Sequence, residues 1–233
     1  MNWYETAFRK EYADLYYRRD DAAAAGEAKF AAAALGLRPS SSVLDVACGA
    51  GRHARALNAL GHRVIGCDLS RDLLAGAAGA TRVRADMRAL PFRGSFDAAT
   101  SFFTSFGYFD EGGNREAMAS IGGALRPGGA FLLDFLNATS VRAHLVPEST
   151  DERDGRTYRI RRRIEEGRVL KDVVIEEAGL TMSYTESVRL YLHNDLVALL
   201  ARAGLNAVAS YGDFDGRDYT SDAPRCILVA TKA

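Results

Sequence analysis

The feature that most constrains the fold is a regular alternation of short apolar segments and helical segments over residues 43–137. Five segments rich in β-branched and apolar residues are predicted strands: 43–47, 63–67, 81–85, 96–102 and 130–135. Three segments with helical spacing separate them: 51–60, 70–78 and 114–125. Strands that alternate with helices at these intervals are typical of βαβ units. We therefore predict an α/β fold with a doubly wound, mostly parallel sheet.

The pattern changes after about residue 150, where hydrophobic residues recur at every second position. Three segments with this spacing are predicted antiparallel strands: 158–164, 169–177 and 184–192. We interpret residues 156–192 as a small antiparallel β insertion that would form a lid or a dimer contact. An amphipathic helix over 195–205 and two strands, 206–211 and 226–231, follow it, so the main sheet would have seven strands.

The composition is that of a folded protein without excess charge. Its 233 residues are 48% hydrophobic, enough for the core of a single domain over residues 1–233. Lys plus Arg equals Asp plus Glu at 30 each, so we expect no nucleic-acid partner. The three cysteines have no metal-ligand spacing, and no apolar run approaches ~20 residues. We therefore expect reduced thiols, no metal, no membrane partner and a cytoplasmic protein.

A glycine-rich loop in "VLDVACGAGRHARAL" (43–57) follows the first predicted strand. Ligands of open parallel sheets bind beyond the carboxyl ends of the strands, and Gly49 and Gly51 let the backbone approach them closely. Asp45 interrupts the apolar strand, and burying a carboxylate is costly unless a cation or hydrogen bonds meet it. Such a carboxylate would repel a pyrophosphate and attract an ammonium group. The glycine-rich loop, together with Asp68 after the second predicted strand, also fits a dinucleotide site, so a nicotinamide-dependent oxidoreductase remains an alternative.

Five segments in order resemble the class I S-adenosylmethionine-dependent methyltransferases. They are "VLDVACGAGRHARAL" (43–57), "VIGCDLS" (64–70), "RADMRALPF" (84–92), "FDAATSFFTSFGYF" (96–109) and "LRPGGAFLLDFLN" (125–137). The resemblance implies the family's Rossmann-like seven-stranded sheet with an antiparallel last strand. It implies S-adenosyl-L-methionine as cofactor and S-adenosyl-L-homocysteine as product. Ala47 stands where the family usually has its first glycine, and the loop "SFFTSFGYF" (101–109) is similar to that of antibiotic-pathway sugar-amine N-methyltransferases.

The resemblance also implies the residues that contact the cofactor, from its methionine end to its adenine. At the methionine end they are Asp45 near the amino group and the backbone of Ala47, Cys48, Gly49 and Gly51. Asp68 would accept hydrogen bonds from both ribose hydroxyls. At the adenine, Leu69 and the Met87 amide would contact the ring, and Asp86 would accept a hydrogen bond from its exocyclic amine. Ser101 would offer its carbonyl to the cofactor. Taken singly, Asp68 and Asp86 are equally well interpreted as solvated acids at strand ends. Together with the loop they favour the cofactor site.

Two tyrosines of the N-terminal region and one of the aromatic loop are candidates for the acceptor site. Residues 1–38 show helical spacing twice and would cover the cofactor, with Tyr12 and Tyr16 four residues apart on one face. A phenol is a rigid surface with a hydrogen-bonding tip. We predict that Tyr16 contacts the cofactor, whereas Tyr108 and Tyr12 are catalytic and orient the acceptor.

The histidines and the arginine-rich strand are interpreted as structural. His53 and His62 follow the glycine-rich loop, and His193 precedes a predicted helix. Arg159, Arg161 and Arg163 would share one face of a strand. We interpret that face as solvated and balanced by nearby glutamates, with an anion-binding or RNA-binding face as the alternative. The glutamates are Glu165, Glu166, Glu176 and Glu177.

The function favoured by these features is transfer of a methyl group from S-adenosylmethionine to an N or O nucleophile of a small molecule. In such an in-line displacement the alignment of the reactants can supply about 7–11 kcal/mol, so a prominent catalytic motif is not needed. Three alternatives remain open: a protein or RNA methyltransferase, a nicotinamide-dependent oxidoreductase, and a non-catalytic nucleoside binder. A homodimer also remains open.

Overall fold

The computed structural model describes residues 3–8, 21–76, 79, 81–153 and 155–233. In chain order its strands are β1 (Ser42–Val46), β2 (Arg63–Asp68), β3 (Thr81–Arg84), β4 (Phe96–Ser101), β5 (Leu125–Leu136), β6 (Glu148–Arg153), β7 (Arg156–Glu165), β8 (Arg168–Glu177), β9 (Leu180–Arg189), β10 (Leu205–Tyr211) and β11 (Arg225–Lys232). Its helices are α1 (Trp3–Thr6), α2 (Asp21–Ala34), α3 (Arg52–Ala59), α4 (Arg71–Ala75), α5 (Glu111–Ala124), α6 (Ala138–His144) and α7 (His193–Arg202), with a 3₁₀ turn at Met87–Ala89.

Seven strands form the main sheet in the order β10-β11-β5-β4-β1-β2-β3. Strands β1 to β5 pair in parallel, whereas β11 pairs antiparallel with both β5 and β10. The prediction of a mostly parallel seven-stranded sheet with an antiparallel last strand is confirmed. Strand order reverses between β1 and β4, and this is where an open parallel sheet binds its ligands.

The first strand is buried on both faces of the sheet. Val43 and Leu44 have no exposed surface, and they belong to separate apolar clusters on opposite faces. This follows from the period of two along a strand, because successive side chains point to opposite sides. One cluster lies beneath α2 and α3, and the other beneath α5 and α7. Asp45 is therefore carried into the centre of the molecule by its apolar neighbours.

The second sheet is antiparallel and contains four strands in the order β6-β7-β8-β9, where the sequence predicted three. Strand β6 has the polar sequence "ESTDER", so it lacks the alternation by which strands are recognised. Three of the five arginines of β7 are those selected from the sequence, and they pair with carboxylates of the same sheet: Arg159 with Glu176, Arg161 with Glu148, and Arg163 with Glu165 and Asp172. The charges of this face are thus balanced within the sheet.

Two further differences from the predicted elements lie around β5. The strand begins at Leu125, five residues before the predicted start at residue 130. Helix α6 follows β5 without having been predicted, and the Asn137 side chain caps it by accepting a hydrogen bond from the Thr139 N–H. Among the described residues, no helix is both long enough and apolar enough to cross a membrane.

Helix α5 supplies a test of the packing between α5 and the end of α7. A Cβ placed on Gly122 would lie 2.8 Å from the carbonyl oxygen of Ala203, whereas one on Gly123 would meet nothing within 4 Å. We expect Gly122→Ala to lower the free energy of unfolding by about 1–3 kcal/mol through this overlap. The matched Gly123→Ala should raise it by about 0.5–1 kcal/mol through lower backbone entropy. Urea unfolding of both variants measures this, and equal effects would contradict the packing.

Candidate functional site

A cavity of about 520 Å³ opens at the carboxyl ends of β1, β2 and β4. Its floor is the loop after β1, one side is the end of β2 with the 3₁₀ turn, and the other side is aromatic. Its volume lies within the range of small-molecule sites. It sits at the point where strand order reverses.

The loop after β1 turns its backbone toward the cavity. Ala47, Gly49 and Gly51 all have positive φ (56°, 54° and 74°), a region that is unfavourable for the alanine. The Cys48 N–H donates to the carbonyl of Cys67 at 3.0 Å and so joins the loop to β2. A Cβ on Gly66 would lie 2.7 Å from the Cys48 Sγ, so this loop conformation requires a glycine in β2.

Asp68 connects the loops that follow β1 and β2. One carboxylate oxygen accepts the Gly49 N–H and the other accepts the Ser70 N–H, both at 2.8 Å. Burial raises the pKa of this carboxyl, and the two hydrogen bonds oppose the shift. Each oxygen of an ionised carboxylate accepts more than one hydrogen bond, so both retain accepting capacity toward the cavity.

Asp45 is the most unusual group of the site. Its side chain is 1% exposed; Oδ1 accepts the Thr100 hydroxyl at 3.2 Å, and Oδ2 is buried with no hydrogen-bond partner among the described residues. Burial raises the pKa of this carboxyl to about 7, with the Thr100 hydrogen bond opposing and the charge of Asp68 adding to the rise. An unpartnered buried carboxylate is costly until a cation meets it.

The third acidic residue, Asp86, is already paired. Both of its oxygens accept hydrogen bonds from the Arg88 guanidinium, the shortest at 2.6 Å, and these lower the pKa of the carboxyl. The guanidinium carbon of Arg88 also lies 4.4 Å from the centre of the Phe109 ring. Asp86 and Met87 line the cavity together with Leu69 from the end of β2.

Aromatic rings form the opposite wall of the cavity. Tyr108 packs against two rings of the N-terminal segment, with ring centres 5.0 Å from Trp3 and 5.5 Å from Phe8, which also contact each other at 5.6 Å. Tyr4 meets Phe109 edge-on at 4.9 Å. The hydroxyl of Ser70 donates to the carbonyl of Phe8 at 2.6 Å, which joins this segment to the end of β2.

The cavity brings together nine of the residues selected from the sequence. These are Asp45, Ala47, Cys48, Gly49, Asp68, Leu69, Asp86, Met87 and Tyr108. Gly51 and Ser101 do not line it: Gly51 is the N-cap residue of α3, and Ser101 is buried in β4 opposite Leu133, so the lining after β4 begins at Phe102. Tyr12 and Tyr16 lie outside the described residues.

His53 lines the cavity, although the sequence analysis interprets it as structural. Its Nε2 lies 2.5 Å from a carboxylate oxygen of Glu27 in α2, and its ring stacks on Phe102 with centres 4.0 Å apart. Burial lowers the pKa of His53, and the hydrogen bond to Glu27 opposes this. Burial would raise the pKa of Glu27, but the hydrogen bond from His53 and the charges of Arg52 and Arg225 outweigh it, and that pKa is lowered.

A buried ion pair fixes the start of the loop after β4. Asp134 has no exposed surface; it pairs with Arg225 of β11 and accepts the Phe103 N–H at 2.6 Å. Phe103 and Thr104 both have positive φ (64° and 57°), a strained conformation that this pairing stabilises. No sequence pattern indicates this ion pair, because Asp134 and Arg225 are 91 residues apart on different strands.

The comparisons with known proteins agree with this geometry. Residues 43–129 match the family described as "Methyltransferase domain". The dTDP-3-amino-3,4,6-trideoxy-alpha-D-glucopyranose N,N-dimethyltransferase of Streptomyces venezuelae is 30% identical over 193 residues, which are 76% of this chain and 81% of that protein. The solved structure of Streptomyces venezuelae DesVI is 26% identical, with a TM-score of 0.71 over 94% of this chain and 96% of that one. An S-adenosylmethionine-dependent methyltransferase from Clostridium acetobutylicum ATCC 824 is 16% identical, with a TM-score of 0.82 over 96% and 98% of the two chains.

The sheet order, the loop after β1 and Asp68 define a Rossmann-like domain that binds a nucleoside cofactor. The chain belongs to the class I S-adenosylmethionine-dependent methyltransferases and resembles the sugar-amine N-methyltransferases among them. It is an enzyme whose cofactor is S-adenosyl-L-methionine. This membership decides against the nicotinamide alternative that the loop alone left open.

The raised pKa of Asp45 predicts how the stability of the ligand-free protein depends on pH. The folded state keeps a proton that the unfolded chain loses near pH 4, so this group's contribution to stability is full below about pH 4 and is lost as the pH rises to about 7. Asp45→Asn keeps an oxygen for the Thr100 hydroxyl and removes this loss. We expect its stability relative to wild type to be about 1–4 kcal/mol greater at pH 8 than at pH 4.5.

Urea unfolding at the two pH values measures the effect. Asp72→Asn, at an exposed position outside the cavity lining, is the matched control and should show no such dependence. If the free energies of unfolding of Asp45→Asn and wild type differ by the same amount at both pH values, Asp45 is not the buried, unpartnered carboxylate described here.

Proposed function

We propose that this enzyme transfers the methyl group of S-adenosylmethionine to the amino group of a small-molecule acceptor of the amino-sugar type, by in-line displacement. The observation that carries the proposal is the unpartnered oxygen of Asp45 in the floor of a cavity of nucleoside size. The amino-sugar acceptor is supported by the Streptomyces venezuelae relative, whose name states that it dimethylates the nitrogen of a nucleotide-linked amino sugar.

The residues present fit the donor. Its ammonium group would meet Asp45, and its ribose hydroxyls would use the remaining acceptor capacity of Asp68. Its adenine would lie against Leu69 and Met87. Asp86 would accept a hydrogen bond from the exocyclic amine of the adenine through a lone pair that Arg88 does not use. When bound, S-adenosylmethionine supplies a methyl group on a positively charged sulfur, whose leaving group is a neutral thioether.

The aromatic wall suits the acceptor end of the site. Rings attract cations through their faces and present rigid apolar surfaces to a sugar ring. Tyr108 is our candidate for orienting the acceptor nitrogen, because it lines the cavity and its ring is packed against Trp3 and Phe8. Packed rings on this side also exclude water from the reacting centre.

Methylation of an amine releases a proton, and the site contains a group suited to take it. The new carbon–nitrogen bond uses the nitrogen lone pair, the electron pair of the carbon–sulfur bond stays on sulfur, and one N–H proton leaves the nitrogen. Burial favours the neutral form of His53, and the ionised Glu27 holds its Nε2. The other ring nitrogen, Nδ1, then carries a lone pair, so we assign His53 as the proton acceptor.

Replacing Asp68 tests the position of the ribose. Asp68→Ala removes the hydrogen bonds to the ribose hydroxyls and releases the loop at Gly49, so binding of S-adenosylhomocysteine should weaken by about 1–3 kcal/mol. Titration calorimetry measures this, with the exposed Asp72→Ala as control. Unchanged affinity in Asp68→Ala would mean that the ribose lies elsewhere.

Replacing Tyr108 tests the acceptor end separately from the donor end. With dTDP-3-amino-3,4,6-trideoxy-α-D-glucopyranose as acceptor, we expect Tyr108→Phe to lower kcat about 10-fold and to change the affinity for S-adenosylhomocysteine less than about twofold. Tyr211→Phe, whose ring packs on Phe30 away from the cavity, is the control. Equal losses of turnover and donor affinity would reduce Tyr108 to a packing role. Donor binding without methylation of this or any other amino sugar would contradict the proposed acceptor.

A further inference from the structure

One arginine of the second sheet reaches the loop that carries Tyr108. The Arg168 guanidinium, at the start of β8, donates to three consecutive backbone carbonyls. Its Nη1 lies 3.0 Å from the carbonyl oxygen of Phe109, and its Nη2 lies 3.1 Å from that of Gly107 and 3.0 Å from that of Tyr108. A single side chain thus sets the direction of three peptide groups in succession.

The same guanidinium is held in place from the strand beside it. Its Nε donates to the Ser187 hydroxyl at 2.7 Å, and its Nη2 donates to the Ser187 carbonyl at 2.9 Å. Ser187 lies in β9, which pairs with β8 along its whole length. The position of the loop therefore depends on the second sheet through one guanidinium, in which Nε, Nη1 and Nη2 all donate and the two Nη2 hydrogens are shared among three carbonyl oxygens.

Arg168 makes no ion pair with a carboxylate among the described residues. Burial lowers the pKa of its guanidinium, the charge of Arg189 adds to this, and Tyr191, Glu111 and Asp110 oppose it; the group nevertheless stays charged. A half-buried cation without an anion is costly unless hydrogen bonds satisfy its donors, and here carbonyl oxygens do so. Only the planar fork of arginine presents donors in enough directions for this arrangement, and lysine does not.

The loop itself depends on such contacts, because residues 102–109 form neither helix nor strand. Gly107 has a φ of 86°, and its carbonyl also accepts the Arg189 N–H at 2.8 Å. A Cβ at this position would lie 3.3 Å from Val188 and 3.4 Å from the Arg189 carbonyl oxygen. The glycine therefore lets the loop lie directly against β9, within reach of Arg168.

We propose that Arg168 is a positioning residue for methyl transfer: it fixes the backbone of residues 107–109, and through it the direction of the Tyr108 ring. The role of the second sheet is then to deliver this guanidinium to the acceptor side of the cavity. The catalytic part of the inference rests on the proposed function of Tyr108, whereas the structural part stands on the hydrogen bonds alone. The exposed arginines of β7 pair with carboxylates and take no part.

The chain contains a natural reporter for the structural part. Trp3, the single tryptophan of the sequence, meets the Tyr108 ring edge-on at 5.0 Å. We expect Arg168→Met to loosen this contact and to raise the acrylamide quenching constant of the fluorescence about twofold or more. Arg159→Met, which removes an exposed arginine of the same sheet, should leave quenching unchanged. Equal quenching in the two variants would overturn the proposal without any ligand or substrate.

Kinetics test the catalytic part. We expect Arg168→Met to lower kcat with the dTDP-amino sugar about 10-fold or more, while the affinity for S-adenosylhomocysteine changes less than about twofold. Arg168→Lys should lie between Arg168→Met and wild type, and added methylguanidinium should restore part of the activity of Arg168→Ala. If Arg168→Met does not fold, the comparison of Arg168→Lys with Arg159→Met decides the same question.

The outcomes separate this inference from the proposed function. Altered quenching with wild-type kcat would overturn the positioning role and leave the methyltransferase site intact. A wild-type protein that binds S-adenosylhomocysteine but methylates no amino sugar would refute the proposed acceptor. The quenching comparison of Arg168→Met with Arg159→Met would still test the structural role of Arg168. Loss of donor affinity equal to the loss of kcat would overturn the positioning role, since the variant would then have disturbed the whole site.

Discussion

The burial of Asp45 beneath the loop after β1 is the constraint on which the rest of the site depends. Apolar neighbours on β1 carry its carboxylate into the centre of the sheet, where one oxygen meets Thr100 and the other meets no described partner. Such an arrangement is costly in the ligand-free protein and becomes favourable when a cationic ligand binds beside the carboxylate. In the proposed function that cation is the ammonium group of the donor, whereas a polyanionic dinucleotide would not neutralise this carboxylate.

The two ends of the cavity are built in different ways. The end proposed for the donor uses residues at strand ends, whose positions follow from the sheet, and Asp68 joins two of those ends through backbone N–H groups. The proposed acceptor end uses an irregular loop, in which the Ser105 N–H and hydroxyl donate to the Phe102 carbonyl and Asn114 bonds both the N–H and the carbonyl of Phe109. Two guanidinium groups stabilise that loop from outside: Arg225 at its beginning, through Asp134, and Arg168 at its far end. Variation in the second sheet can therefore alter the acceptor side while the donor side stays unchanged.

How much of this was predictable from the sequence depends on whether a contact is local. The strands of the main sheet and the residues of the donor end follow from periodicity and from short motifs at strand ends. The strand "ESTDER" was missed because it carries no alternation. The Glu27–His53 pair and the hydrogen bonds of Arg168 join residues 26 and about 60 positions apart. Only the packing of separate elements creates such contacts, and no short pattern encodes them.

The place of β11 in the sheet has a consequence for biosynthesis. This strand is inserted between β5 and β10, and its first residue, Arg225, neutralises the buried Asp134. While the ribosome is still adding residues before 225, β5 and β10 lack the strand that lies between them, and Asp134 lacks the guanidinium of Arg225. Pairing so distant in sequence is slow and leaves apolar strand edges exposed to other chains in the meantime. Because Arg225 is the first residue of β11, the pairing step that joins β5 to β10 is also the step that neutralises Asp134.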